Sequence, residues 1–352
     1  MRIGVVGCGY WGSKHVRVFS ELPAVSGVTI IDGRAPVRAA VGADFPRALQ
    51  RASLAEALDD IDAVVIATPP ESHFEVAAEA MTAGKHVLVE KPMATSTADA
   101  RRMVRLSEEH GVVLAAGHTF AYNAAVWKLV ELVRSGALGE LHHLDAARLN
   151  LGLYREDVNV LWDLAAHDIS ITTMIMGQIP DTVSAWGDSY TDGFSEDIAS
   201  LRMRFSGQGV ESTVRASWLD PEKVRRTSAV GSERMAVYDD VDARSRIKII
   251  DRSRTIKRGR GPGAPVSIDY VEGGIVTPAI DFREPLKVQA ADFIACCMTG
   301  EQPIADGRAG LAVVAVLEAS DRSLQEHGAP IPVDLPDLRL RSNRLQPSLS
   351  AA

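Results

Sequence analysis

The chain has 352 residues, 46% of them hydrophobic and 24% charged, which is the composition of a folded globular protein rather than of a disordered or fibrous one. That length exceeds what a single hydrophobic core usually serves, so two domains are expected. Thirty-eight basic residues against 46 acidic ones leave a net charge of -8, which argues against nucleic acid as a partner because neutralising phosphates needs a basic face.

Short β-branched runs at 2–7, 28–32, 63–67, 86–90 and 112–116 alternate with helical spacing at 13–21, 74–83 and 97–110. This alternation predicts an α/β Rossmann domain, a doubly wound parallel sheet over residues 1–120. An amphipathic helix at 124–135, stopped by Gly136, opens a second domain over 121–336. Its strands, at 141–149, 182–187, 198–205, 210–218, 227–230, 235–238 and 247–250, follow one another with few helices between. They predict an antiparallel meander, an α+β domain on a mostly antiparallel open sheet, with helices at 163–176, 286–298 and 307–327. Residues 337–352 read as a C-terminal arm. One sheet face has no helix assigned to it, which predicts burial against a second copy, as a homodimer or homotetramer.

Cys8, Cys296 and Cys297 make no disulfide framework, and the opening apolar run is too short for a signal-peptide core. With no apolar stretch near the ~18 residues of a membrane span, a cytoplasmic protein without membrane partners is expected.

Directly after the first strand stands Gly7-Cys8-Gly9-Tyr10-Trp11-Gly12, a G-x-G-x-x-G that opens a helix. Its glycines allow a tight turn and let backbone N–H groups approach a pyrophosphate. Asp32 ends the next strand, where a carboxylate accepts both hydrogen bonds of an adenosine ribose diol, so NAD is expected ahead of NADP. Arg34 is either a solvated loop residue or a holder of the 2′-phosphate of NADP. Cys8 reads as a small turn residue, since nothing near it in sequence would lower its pKa.

Two further strand ends carry chemistry. One runs into Thr68-Pro69-Pro70 and His73, the other into Glu90-Lys91-Pro92, both on the ligand side of a doubly wound sheet. Thr68, Pro69, His73, Glu90 and Lys91 therefore join Gly7, Gly9, Tyr10, Trp11, Gly12, Asp32 and Arg34 as candidate cofactor-binding residues. With Asp163-x-x-x-His167, this ordered set resembles the Gfo/Idh/MocA oxidoreductase family over nearly the whole chain. The resemblance implies that Lys91 reaches the reacting hydroxyl carbon and that Asp163 and His167 complete a proton-transfer group.

Chemistry supports the same three residues. Oxidising a secondary alcohol removes a hydroxyl proton as hydride leaves the carbon, so a base must stand within hydrogen-bond reach, and histidine titrates in the right range. His167 is assigned as base and Lys91 as the group polarising the hydroxyl; Asp163, four residues before His167 on one helix face, orients the imidazole. The plain alternatives are a helix N-cap for Asp163 and a core-edge histidine for His167. No metal is expected there, because two ligands without a third do not make a site.

At Gly117–Asn123 many relatives carry Asn-x-Arg-aromatic, but Ala121 stands here in place of the arginine, which leaves the substrate open. Tyr122, Tyr154, Arg155 and Asn159 are candidate substrate contacts beside Lys91, Asp163 and His167; a polar-aromatic loop suits a polyhydroxylated small molecule. The basic run Arg252, Arg254, Lys257, Arg258 and Arg260 reads as a solvated hairpin tip or as a diphosphate site. The Tyr10-Trp11 turn and the approach through Val158–Asp163 resemble branches acting on hexose C3, some in antibiotic biosynthesis. The expected activity is NAD-dependent oxidation of a ring secondary hydroxyl of a sugar, nucleotide sugar or aminocyclitol. The alternatives are an NADPH-dependent ketoreductase and a dinucleotide-binding regulator without turnover.

Overall fold

In the computed structural model, which describes residues 1–352 except 153–154, 156–157, 192–194, 259–265, 336–339 and 341–352, the apolar runs of the first third form strands that are largely buried, the short edge strand Leu49–Arg51 excepted. These are β1 (Arg2–Val6), β2 (Gly27–Ile31), β3 (Leu49–Arg51), β4 (Ala63–Ile66), β5 (His86–Val89) and β6 (Leu114–Ala116), joined by α1 (Tyr10–Ser20), α2 (Ala35–Asp44), α3 (Leu54–Ala57), α4 (His73–Thr82) and α5 (Thr97–Glu109). Every pair is parallel and the order is β3-β2-β1-β4-β5-β6, so the direction of winding reverses between β1 and β4, where doubly wound sheets bind their ligands.

The rest of the chain adds α6 (Ala124–Arg134), β7 (Leu141–Leu149), α7 (Ala166–Met176), β8 (Thr182–Asp188), β9 (Ile198–Phe205), β10 (Val210–Ser217), β11 (Val224–Gly231), β12 (Arg234–Asp239), β13 (Ile247–Arg258), β14 (Val266–Val276), α8 (Pro285–Thr299), α9 (Gly307–Gln325) and β15 (Ile331–Pro332). The second sheet runs β14-β13-β12-β11-β7-β10-β9-β8-β15. It is mostly antiparallel but not a meander: β7 inserts between β10 and β11 and pairs with β10 in parallel. Burial alternates along β9 and β10, as in a sheet with one packed face. α7 is buried nearly throughout. It is pinned to the sheet by Arg148 of β7, whose guanidinium grips Asp168 through Nε–Oδ2 at 2.6 Å and Nη2–Oδ1 at 3.2 Å, both side chains all but inaccessible.

The chain divides into two compact units, one of Met1–Asn123, Arg283–Glu318 and Asp334–Ala352, the other of Ala124–Phe282 and Ala319–Val333. The expected second domain, 121–336, is thus split, because α8 returns to the first unit. Its Leu286, Ala290, Phe293, Ile294 and Cys296 share one core with Ile3, Val5, Val16, Phe19 and Leu88, and hydrophobic burial decides the assignment. The expected arm at 337–352 lies outside the described residues apart from Leu340, as do Arg260 and the side chains of Arg252, Arg254, Lys257 and Arg258. Among the described residues no helix is long and apolar enough to cross a membrane.

Candidate active site

β1 ends at Val6, and Gly7 turns the chain at φ +83°, a backbone region that side chains with a Cβ rarely enter. A Cβ at Gly7 would lie 2.8 Å from Ala67 O and Thr68 N, and one at Gly12 would collide with the Gly7 carbonyl. Gly9 caps α1 with no side chain, and where its Cβ would stand there is open space. The turn therefore presents bare backbone at the positive end of a helix, a cradle that fits the pyrophosphate of a dinucleotide. Beside it Tyr10 and Trp11 meet edge to face at 5.7 Å, and the Lys14 ammonium lies 4.1 Å from the Tyr10 ring centroid.

Asp32 follows β2 and is buried. Its Oδ2 accepts from the Cys8 amide at 3.0 Å and its Oδ1 from the Arg34 amide at 2.9 Å, while the Arg34 guanidinium takes both oxygens at 3.0 Å. The Arg34 hydrogen bond, against the opposing effect of burial, holds this carboxyl below its usual range. A ribose diol reaching Asp32 must share the carboxylate with Arg34 or displace it. The Cys8 thiol is pushed up to about 11 by burial, as suits a packed turn residue.

The ends of β4 and β5 are tied together by His73, expected to touch cofactor. Its Nδ1 lies 2.9 Å from Pro92 O and its Nε2 2.8 Å from Thr68 O, so the ring braces the two loops from within and leaves neither nitrogen directed at a ligand. Burial pushes this imidazole below its ordinary value, opposed by the two carbonyl contacts. Thr68 is half-buried and takes the Ser72 hydroxyl at 2.7 Å; Pro69 is exposed. Glu90 is buried with one oxygen on His15 Nε2 at 2.8 Å and the other on the Lys91 amide at 3.1 Å. Burial raises its carboxyl, but His15 and then Lys91 outweigh burial and leave it below the usual carboxylate value. Lys91 itself is half-buried, and His118, after β6, is buried and pushed down to about 4 by burial, with Lys91 lowering it further and Glu90 opposing.

Tyr122, expected at the substrate, is taken up by the core instead. It is 1% exposed, its hydroxyl donates to Asp292 at 3.0 Å and accepts from the Ala305 amide at 3.3 Å, and burial raises it well above the ordinary phenol value.

In the second unit Asn159 Oδ1 caps the approach to α7 by accepting from the amides of Leu161 and Trp162, and its Nδ2 donates to Asp321. The Trp162 indole donates to the same carboxylate at 2.7 Å. Asn159 thus spends both ends of its amide inside the fold. Leu161–Ala165 form a π-helical turn in which the Ala166 amide reaches back to Leu161 O, so Asp163 lies in a wider turn that precedes α7 rather than in the single helix expected over 163–176; wide turns of this kind recur at functional sites. Asp163 Oδ2 accepts from the Trp218 indole at 3.1 Å, and Arg155 Nη1 stands 3.9 Å from Oδ1. His167 is half-buried at the start of α7. Tyr154 lies outside the described residues. His15, His118, Trp218 and Asp321 are the additions of the structure; only the position of His15 three residues past Gly12, on the helix that follows the turn, offered a local signal.

The arrangement invites comparison with known proteins. Residues 1–118 match the model of an oxidoreductase family with an NAD-binding Rossmann fold, and residues 126–237 the GFO/IDH/MocA C-terminal domain. The UDP-N-acetylglucosamine 3-dehydrogenase of Acidithiobacillus ferrooxidans is 31% identical over 319 residues, 90% of this chain and 94% of that protein. Its solved structure superposes with a TM-score of 0.76 at 28% identity, covering 93% and 98% of the two chains. GenD2 from gentamicin A biosynthesis, solved in complex with NAD, gives a TM-score of 0.79 at 25% identity over 95% and 97%. D-apiose dehydrogenase of Paraburkholderia graminis is 26% identical over 92% of this chain and 87% of its own. A dinucleotide cradle, a buried Glu90 beside Lys91, an Asp163/His167 segment and matches spanning both units place this chain in the Gfo/Idh/MocA oxidoreductase family.

Proposed function

We propose that the chain is an NAD-dependent dehydrogenase that oxidises a ring secondary hydroxyl, at C3, of a nucleotide sugar or a related amino sugar. The observation that carries the reading is the end-to-end likeness to a UDP-N-acetylglucosamine 3-dehydrogenase in a chain that keeps Lys91, Asp163 and His167. GenD2 supports the neighbouring aminoglycoside class. The buried Asp32 carboxylate, aimed where an adenosine ribose diol would lie, supports NAD, since it would repel a 2′-phosphate.

The cradle of Gly7, Gly9 and Gly12 would hold the pyrophosphate and Asp32 the ribose. Bound NAD supplies the hydride acceptor. Lys91 holds the reacting oxygen, its ammonium stabilising negative charge as the O–H bond weakens. The His167 imidazole takes the hydroxyl proton while the C–H bonding pair leaves as hydride, so the alcohol becomes a ketone and one proton is released. Asp163, fixed by the Trp218 indole, orients that segment.

A positioned base contributes about 10²–10⁴ in rate. His167→Ala should therefore lose that much kcat towards UDP-N-acetylglucosamine while binding NADH, followed by fluorescence, unchanged. Wild-type turnover in this variant ends the assignment. The Arg34 guanidinium on Asp32 favours a second reading, an NADPH-dependent ketoreductase; tighter binding of NADPH than of NADH would select it.

A further inference from the structure

We propose that His15 is a positioning residue for Lys91, acting through the buried Glu90 carboxylate. The inference rests on reading Lys91 as the group that holds the reacting hydroxyl. His15 belongs to α1, is 1% exposed, and stacks on Phe19 with 6.2 Å between ring centroids. Its Nε2–H donates to one oxygen of Glu90 at 2.8 Å, and the other oxygen accepts the amide of Lys91 at 3.1 Å. The imidazole thus sets the plane of the carboxylate, and the carboxylate sets the peptide from which Lys91 projects.

A carboxylate removed from water stays ionised only where partners replace its hydration. The titratable groups around Glu90 are His15 from α1, Lys91 in its own loop and His118 after β6, with His73 of α4 also within its field. Neither ring nitrogen of His118 has a hydrogen-bond partner among the described residues, so that ring leaves the carboxylate to others. His15 is accordingly the side chain that keeps Glu90 charged, and Glu90 is the fixed negative charge beside Lys91. Once its hydrogen bond from His15 is lost, the Glu90 carboxylate is free to turn, and its hold on the Lys91 amide loosens.

The test follows the Lys91 amide directly. The intact protein is labelled with 15N-lysine, the Lys91 amide signal is assigned by its loss in Lys91→Arg, and its hydrogen exchange is followed by NMR. In His15→Leu and in Glu90→Ala, the Lys91 amide should exchange about tenfold faster than in the wild type while the other lysine amides keep their rates. His15→Gln, whose side-chain amide can donate from the place of Nε2, should restore most of the protection. Unchanged exchange of the Lys91 amide in Glu90→Ala overturns the proposal. So does faster exchange in Glu90→Ala with none in His15→Leu, and so does a His15→Gln variant that exchanges like His15→Leu. The measurement needs no substrate. Full turnover in Lys91→Met would therefore sink the catalytic reading without touching the exchange rates, and unchanged exchange would sink this inference without touching turnover.

Discussion

Replacing Asp168 by alanine should unfold the second unit far more easily than any surface change. Asp168 and Arg148 are 1% and 2% exposed and meet through two hydrogen bonds. Truncating the carboxylate takes both of these hydrogen bonds from a guanidinium in the core between sheet and α7, and breaking a buried pair from one side costs about 3–5 kcal/mol. That is a large part of the roughly 5–15 kcal/mol by which folded proteins usually outlast unfolding. Removing both charges in the double variant Arg148→Met/Asp168→Leu should cost little, or even stabilise by about 1–4 kcal/mol, because two desolvated ions give way to apolar packing. Asp240, which also faces Arg148 electrostatically, keeps Arg225 and Arg246 as partners, so the double variant leaves it paired. Urea unfolding at pH 7, followed by far-UV circular dichroism on the wild type, Arg148→Met, Asp168→Leu and the double, closes a mutant cycle, with Asp168→Ala measured beside it. A loss below about 1 kcal/mol in Asp168→Ala, or a double variant that loses the sum of the singles, would refute the reasoning.

Other expectations follow from the site. His118 binds a proton at about 4 in the folded protein against an ordinary 6.5, so the unfolded chain is the better proton acceptor between these values. Its contribution is whole above pH 6.5 and is lost as pH falls towards 4, a change of about 3 kcal/mol. His118→Phe should flatten that acid limb, and an unaltered limb counts against it. Trp218→Phe deletes the indole N–H that holds Asp163 and should lower kcat about 10–100-fold, the worth of a hydrogen bond to a charged group, with NADH affinity intact; equal losses in both would point to misfolding. Arg34→Ala releases Asp32 and removes a guanidinium that could meet a 2′-phosphate, so the ratio of NADH to NADPH affinity should rise several-fold in a fluorescence titration. A constant ratio would show Arg34 to be a bystander.

What could be read before folding was what is local. The β1–turn–α1 junction, Asp32 and the Glu90-Lys91-Pro92 strand end are contiguous signals with one physical meaning each. α2, β3 and α3 escaped because β3 is three residues, Leu49–Arg51, two of them exposed at the sheet edge, where burial imposes no pattern. β14 escaped because Asp269, Glu272, Gly273 and Gly274 interrupt its apolar alternation on an edge strand. The parallel seating of β7 beside β10 depends on pairing across more than sixty residues, and the His15–Glu90 bond spans 75. Tyr122 was misplaced for the same reason: its neighbours in sequence suggested substrate, while Asp292, 170 residues away, claims its hydroxyl. The π-helical turn at Asp163 has no compositional mark at all, and it sets that residue ahead of α7 instead of inside it.

The shared core of β1, α1 and α8 bears on how the chain matures. The ribosome delivers Phe293 and Ile294 only after β7 to β14 of the second sheet, and at about 5–20 residues per second the nascent dinucleotide half waits roughly ten to thirty seconds for them. During that interval its hydrophobic seam is open to whatever else is nearby. Fragments cut before residue 283 should therefore precipitate or bind chaperones, and grafting this cofactor half onto another enzyme would require carrying two separated stretches of gene.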